Sequence, residues 1–299
     1  MKEKYINLFT DFGFKKVFGE GANKEHLISF LNTLLPEKHQ ISDLKFTQNE
    51  HQGSSQLDRK AIFDLSCVSA SGEYFIVELQ KARQNYFKDR SVFYSTFPIQ
   101  EQAERGDWDF KLAAVYTIGI LDFIFDEDEE QGGKEVVHHV QLKNQYHQVF
   151  YDKLTFIYLT LPNFQKALEE LDSLQDKWFY LFRHLHELED IPPRLREKVF
   201  LSLFEKARIA RFEPEERVAY ETSLKYYRDL KNVIDTARDE GHAEGKAEGK
   251  VEGIEEGRLL EKELLALNLI SMNMMTDDQV ATATGLPSSL VTALRAKEE

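Results

Sequence analysis

The chain has 299 residues, 42% of them hydrophobic, and a formal net charge of −14 at pH 7. That length supports one substantial core and a second, smaller unit, while no apolar run approaches the roughly 18–20 residues of a membrane span. The start Met1-Lys2-Glu3-Lys4 leads into no apolar secretory stretch, and the single cysteine, Cys67, excludes a disulfide framework or a cysteine-rich zinc site. A reduced, cytoplasmic protein is the expectation. The acidic balance argues against nonspecific coating of nucleic acid but not against positive charge gathered at one cleft.

In chain order, Lys4–Phe18 and Lys24–Leu35 read as helices, the second with Leu27, Ile28, Leu31, Leu34 and Leu35 at helical spacing and Pro36 ending it. Ile41–Glu50 reads as a strand, followed by a polar loop over His51–Gln56. Ala61–Ser69 and Tyr74–Gln80 then form a hairpin, with Ala70-Ser71-Gly72 as a three-residue loop whose glycine takes the left-handed position. This loop sets Ser69 opposite Glu73 and Asp64 opposite Glu78. By alternation, one face carries Ala61, Phe63, Leu65, Cys67, Phe75, Val77 and Leu79, all apolar. The other gathers Asp64, Ser66, Glu78 and Gln80 among Ile62, Val68, Tyr74 and Ile76. Two carboxylates facing each other across a ladder repel, and a cation between them relieves the conflict. Read from the hairpin alone, Asp64 and Glu78 are more simply ordinary strand-end charges, each paired with a lysine or arginine such as Lys60 or Arg90.

Lys81–Arg90 is locally basic with interleaved aromatics, and a helix over Gln84–Thr96 brings Arg83, Phe87, Arg90 and Tyr94 to one side. Gly106 breaks the chain before an apolar strand at Leu112–Phe125, and Asp126–Glu130 with Gly132-Gly133 reads as a solvated acidic loop. Val136–Gln141 and Thr155–Leu161 extend the sheet; the adjacent His138 and His139 point to opposite faces and make no metal site. From Pro162 onward the period is helical, over Phe164–Leu174, Trp178–Glu189, Pro193–Ala207 and Pro214–Ala237. Glycines 241, 245, 249, 253 and 257, each preceded by glutamate, form one stripe on a helix. Each costs about 1 kcal/mol there, so the segment is either a close-approach surface for a homo-oligomer (Gly241–Gly257) or a charged connector. Thr276–Ala281 and Ser288–Lys297 flank Gly285 as two short helices, which suits a packing module better than a DNA-reading one, since Arg295 and Lys297 are its late, lone cations.

Asp64, then Glu78-Leu79-Gln80, resembles the acidic residue and Glu-x-Lys of the PD-(D/E)XK nuclease superfamily, in its recombination-promoting nuclease and transposase branch. The stretches Thr10–Gly19, Asn23-Lys24-Glu25 into Leu27–Asn32, then Arg90, Tyr94, Ser95 and Val115–Phe125 stand in the order of that family. The resemblance implies an α/β fold: a restriction-endonuclease-like αβββαβ core, a mixed sheet flanked by helices, with an appended C-terminal helical region. It divides the chain into a nuclease-like domain (1–163), a helical subdomain (164–236), the Glu-Gly repeat (237–262) and a small helical module (263–299). It further implies metal-dependent hydrolysis of DNA, with Asp64, Glu78 and the Leu79 carbonyl on Mg²⁺ or Mn²⁺. Gln80 stands where lysine is usual, and its amide orients water but carries no charge and shuttles no proton. Asp11, in preference to Glu25, is a further acidic group, or else the N-cap of a helix from Phe12. Arg90, Arg83 and Lys81 follow the site strand and would hold phosphates. A catalytically inactive DNA-binding descendant and an oligomeric interaction scaffold are the rival readings.

Overall fold

Thr10, not Asp11, opens the first helix. A computed structural model describes residues 3–19, 24–47, 50–51, 61–103 and 106–298; Asn23, Lys60 and the predicted polar loop past His51 lie outside them. In it α1 spans Asp11–Phe18, with the Thr10 hydroxyl accepting the Gly13 N–H at 3.0 Å. The predicted start at Lys4 is corrected: Tyr5 forms a β-bridge with Arg208, and Ile6 donates to the Ala207 carbonyl. α2 runs Lys24–Asn32 and loosens into turns before Pro36.

The strands are β1 (Leu44–Phe46), β2 (Glu50–His51), β3 (Ala61–Ile62), β4 (Leu65–Ser69), β5 (Tyr74–Gln80), β6 (Val115–Leu121), β7 (Val137–Lys143) and β8 (Val149–Thr160). Six form a mixed sheet in the order β1-β4-β5-β6-β8-β7, and β2 with β3 makes a separate ribbon. β5, β6 and β8 are mutually parallel, and the remaining pairs are antiparallel. The hairpin register is the expected one: Ser69 donates to Glu73 at 2.9 Å, Val68 pairs with Tyr74 and Leu65 with Val77. Gly72 takes φ +96° in the loop. Two expectations for this hairpin are corrected. The long first strand breaks at Phe63 and Asp64, and Phe63 leaves its predicted face to pack with Ile76, Tyr94 and Phe97.

β6 is buried along its length, as befits a strand covered on both faces. One face carries the main core, where Leu65, Cys67, Val77, Ile118 and Ile157 meet Phe14, Phe18, Phe30, Trp178, Phe182 and Phe200. Those aromatics come from α1, α2, α5 (Leu174–His184) and α6 (Lys198–Ala207). The other face is covered by α3 (Phe87–Glu101), which starts three residues later than predicted. The acidic stretch is a short helix, α4 (Asp126–Gln131), and not a loop. No α-helix forms over residues 164–173 either: the Ser173–Asp176 capping box starts α5 after them, and Lys166 is drawn onto Asp176 at 2.9 Å.

α7 runs Pro214–Ser271, and the chain divides into compact units at Met1–Asn232 and Val233–Glu299. In the first, α7 residue Tyr220 accepts the Asn7 N–H at 3.0 Å. In the second, the Glu-Gly repeat is helical and exposed. Its small core joins Ala266 and Ile270 to Val280 on α8 (Asp277–Thr284) and Val291 on α9 (Ser288–Glu298). Gly285 ends α8 at φ +67°. No helix among the described residues is long and apolar enough to cross a membrane.

Candidate active site

The β4–β5 ladder stops at Leu65, and the bend at Asp64 turns its carboxylate onto the partner strand: Oδ2 accepts the Leu79 N–H at 2.7 Å. A strand residue's N–H and C=O point to the same side, so the Leu79 carbonyl is aimed toward Asp64 as well. Glu78, one residue earlier, is only 8% exposed. Its Oε2 accepts the Gln80 amide at 3.0 Å, while Oε1 is buried with no hydrogen bond. Burial, and next the Asp64 charge, push Glu78 up to about 8, against the opposing pull of Arg90, Gln80 and the Asp64 backbone N–H. Asp64 is raised too, chiefly by burial and less by Asp11, with the Leu79 N–H, Lys15 and Lys81 holding it down.

The cations fall into two groups. Arg90 donates through Nη1 to Gln84 Oε1 and lies over the Phe87 and Tyr94 rings at 5.7 and 5.8 Å, while its Nη2 is buried without a hydrogen bond. Its charge reaches Glu78, yet no Glu78–Arg90 ion pair forms among the described residues. Tyr94 borders the same space, its phenol raised by burial and then by Glu78. Lys81 belongs to the other group: its side chain is 8% exposed, its ammonium is 2.6 Å from Asp11 Oδ1 and lies 5.5 Å from the Tyr226 ring. Arg83 pairs with Asp126 farther along the loop. Asp11 is therefore a first-turn residue bound to Lys81, and its N-cap reading is corrected, because Thr10 does the capping.

Two contributions escaped the sequence reading. Lys15, one helical turn beyond Asp11, lends charge to Asp64; the i, i+4 spacing is its signal. Asp122 donates its N–H to the Gln80 carbonyl at 2.9 Å and accepts the Tyr227 hydroxyl at 2.7 Å, with Lys231 at 3.5 Å. This brace spans about a hundred residues of sequence and leaves no local pattern.

The groups that can take a hard cation are Asp64, Glu78 and the Leu79 carbonyl. Among the described residues, no set of three or more His, Cys, Asp or Glu side chains is arranged around a metal position. A mixed sheet flanked by helices, with an acidic bend and a Glu-x-Gln strand at one end, defines a restriction-endonuclease-like α/β protein. The family model described as PD-(D/E)XK nuclease family transposase matches residues 8–237, and the chain belongs to that family. No curated protein and no solved structure matches it.

Proposed function

We propose that this chain is a divalent-metal-dependent DNA endonuclease, with Asp64, Glu78 and the Leu79 carbonyl as protein ligands to Mg²⁺ or Mn²⁺. The observation that carries this reading is Glu78 Oε1, a buried carboxylate oxygen with no hydrogen bond, beside a second raised carboxylate. Leaving such an oxygen unpaired costs folding free energy, and a hard cation with water ligands relieves it. When bound, that ion supplies Lewis-acid stabilisation of the phosphate and lowers the pKa of water.

The chain's own groups do the rest. The Leu79 N–H fixes Asp64, and the Gln80 amide fixes Oε2 of Glu78, so Oε1 and the second Asp64 oxygen have set directions. Arg90 Nη2 is the donor for a non-bridging phosphate oxygen, a role its planar guanidinium suits. Gln80 orients water but takes no proton, so deprotonation of the nucleophile passes to solvent or to the phosphate. The proposed setting is cytoplasmic, the expectation for a chain with one cysteine and no disulfide framework.

Supercoiled-plasmid nicking with Mg²⁺ or Mn²⁺ tests the reading, with Asp64→Ala and Glu78→Ala beside wild type. Metal-dependent nicking lost in both variants supports it. A wild type that retains DNA without cutting it, indifferently to chelator, points instead to an inactive DNA-binding descendant; the neutral Gln80 at the lysine position is the observation in that reading's favour.

A further inference from the structure

Beyond the C-terminal ends of the parallel strands β5 and β6, two loops enclose a groove of about 390 Å³. Crevices at this end of parallel strands are favoured ligand positions. Phe87, Phe123 and Phe125 form its apolar wall, with the Phe87 and Phe125 ring centroids 6.4 Å apart. At its lip stands Tyr86, 79% exposed and held at φ 62°, ψ 27°. A bulky aromatic side chain in the left-handed region is uncommon and costs of order 1–3 kcal/mol. Tyr86 recovers little of that through burial, since its ring is in water.

The groove adjoins the candidate active site through Arg90. Gln84 and Phe87 line it, and both touch Arg90, whose charge reaches Glu78. Its rim carries two cations that a phosphate can engage, Arg83 and Lys88, among the carboxylates of Asp89, Asp126 and Glu127. Lys88 lies 4.9 Å from the Phe125 ring and 2.7 Å from Glu127, and Arg83 pairs with Asp126. Both ion pairs are solvent-exposed and individually weak, so phosphates can displace the carboxylates.

We propose that this groove binds an unpaired nucleobase of the substrate, stacked on Tyr86 against the phenylalanine wall, one or a few nucleotides from the scissile phosphate. The proposal rests on the nuclease reading and deepens it: the preferred substrate is single-stranded or frayed DNA. A base within an intact duplex is stacked on its neighbours and cannot enter without flipping, which costs unpairing energy. Stacking on an aromatic ring tolerates any base, so the preference is for strand state and not for sequence.

The test uses the full chain in EDTA, where cleavage is suppressed, with a short single-stranded oligodeoxynucleotide carrying 2-aminopurine and a blunt duplex of the same sequence. Wild type binds the single strand more tightly and quenches its fluorescence. Tyr86→Ala weakens single-strand binding about tenfold and abolishes the quench, with duplex binding unchanged, while Tyr86→Phe behaves as wild type. The exposed ring makes few packing contacts, so folding of the alanine variant is not at stake. Unchanged single-strand affinity in Tyr86→Ala overturns the proposal, as does equal weakening on both oligonucleotides. If wild type nicks plasmid in either case, the nuclease reading survives that failure. A wild type that binds neither oligonucleotide and nicks nothing overturns both.

Discussion

Gly119 stands directly beside Glu78 in the parallel β5–β6 register, and a methyl group on it would meet Tyr158 Cδ1 at 2.8 Å. The neighbour of the most strongly perturbed carboxylate thus has no side chain, because the Tyr158 ring already occupies that space against Phe87 and Phe125. Gly119→Ala is expected to destabilise the protein by about 2 kcal/mol through overpacking, measured by urea denaturation. A wild-type midpoint would mean that Tyr158 yields freely.

Metal binding is expected to strengthen steeply with pH. A carboxylate must be ionised to ligate, and Glu78, raised to about 8, is largely protonated at neutral pH in the metal-free protein. Calorimetric Mn²⁺ titrations between pH 6 and 9 should show affinity climbing across the range, and Glu78→Gln should flatten the profile. A flat wild-type profile would remove Glu78 from the ligand set.

The same group makes stability depend on pH in the opposite sense. Its folded pKa lies above its unfolded value, so the native state holds the proton that the unfolded chain releases. Stability from this group is present below about 4.5 and is lost as pH rises toward about 8. Without metal, Glu78→Gln should therefore gain on wild type as pH rises from 5 to 9, by on the order of 3 kcal/mol. Thermal melts in EDTA at the two pH values measure the difference.

Lys81→Met removes a charge that holds Asp64 down and that Asp11 binds at 2.6 Å. The pH dependence of Mn²⁺ affinity should move upward, and Lys81→Arg should restore it in part. The stability loss should be modest, about 1 kcal/mol, because Asp11 is solvent-exposed and can rehydrate. An unmoved pH profile would make Lys81 purely structural.

How much of this was legible in the sequence depends on how far apart the deciding residues lie. The three-residue loop with Gly72 dictates the hairpin register, so Leu65 meets Val77 as expected. The break at Phe63–Asp64 was not legible, because Phe63 is drawn across by Tyr94 and Phe97, about thirty residues on. Residues 4–10 carry a helical pattern, yet the bridge between Tyr5 and Arg208 and a turn at Leu8–Phe9 take its place. The apolar spacing over Phe164–Leu174 likewise suggests a helix, but the Ser173 cap and the Lys166–Asp176 pair start the helix later. Local chemistry fixed the carboxylates' neighbourhood, whereas the brace from Tyr227 to Asp122 exists only through the tertiary fold.

The buried Cys67 has a practical consequence. Its thiol is fully enclosed by the core, and burial pushes it up to about 12, so alkylating reagents should leave the native chain untouched. With no other sulfhydryl in the sequence, a cysteine introduced at an exposed position such as Asn85 would be the sole reactive handle. Fluorophores, spin labels or crosslinkers could then be placed beside the groove without first stripping the protein of its own thiol.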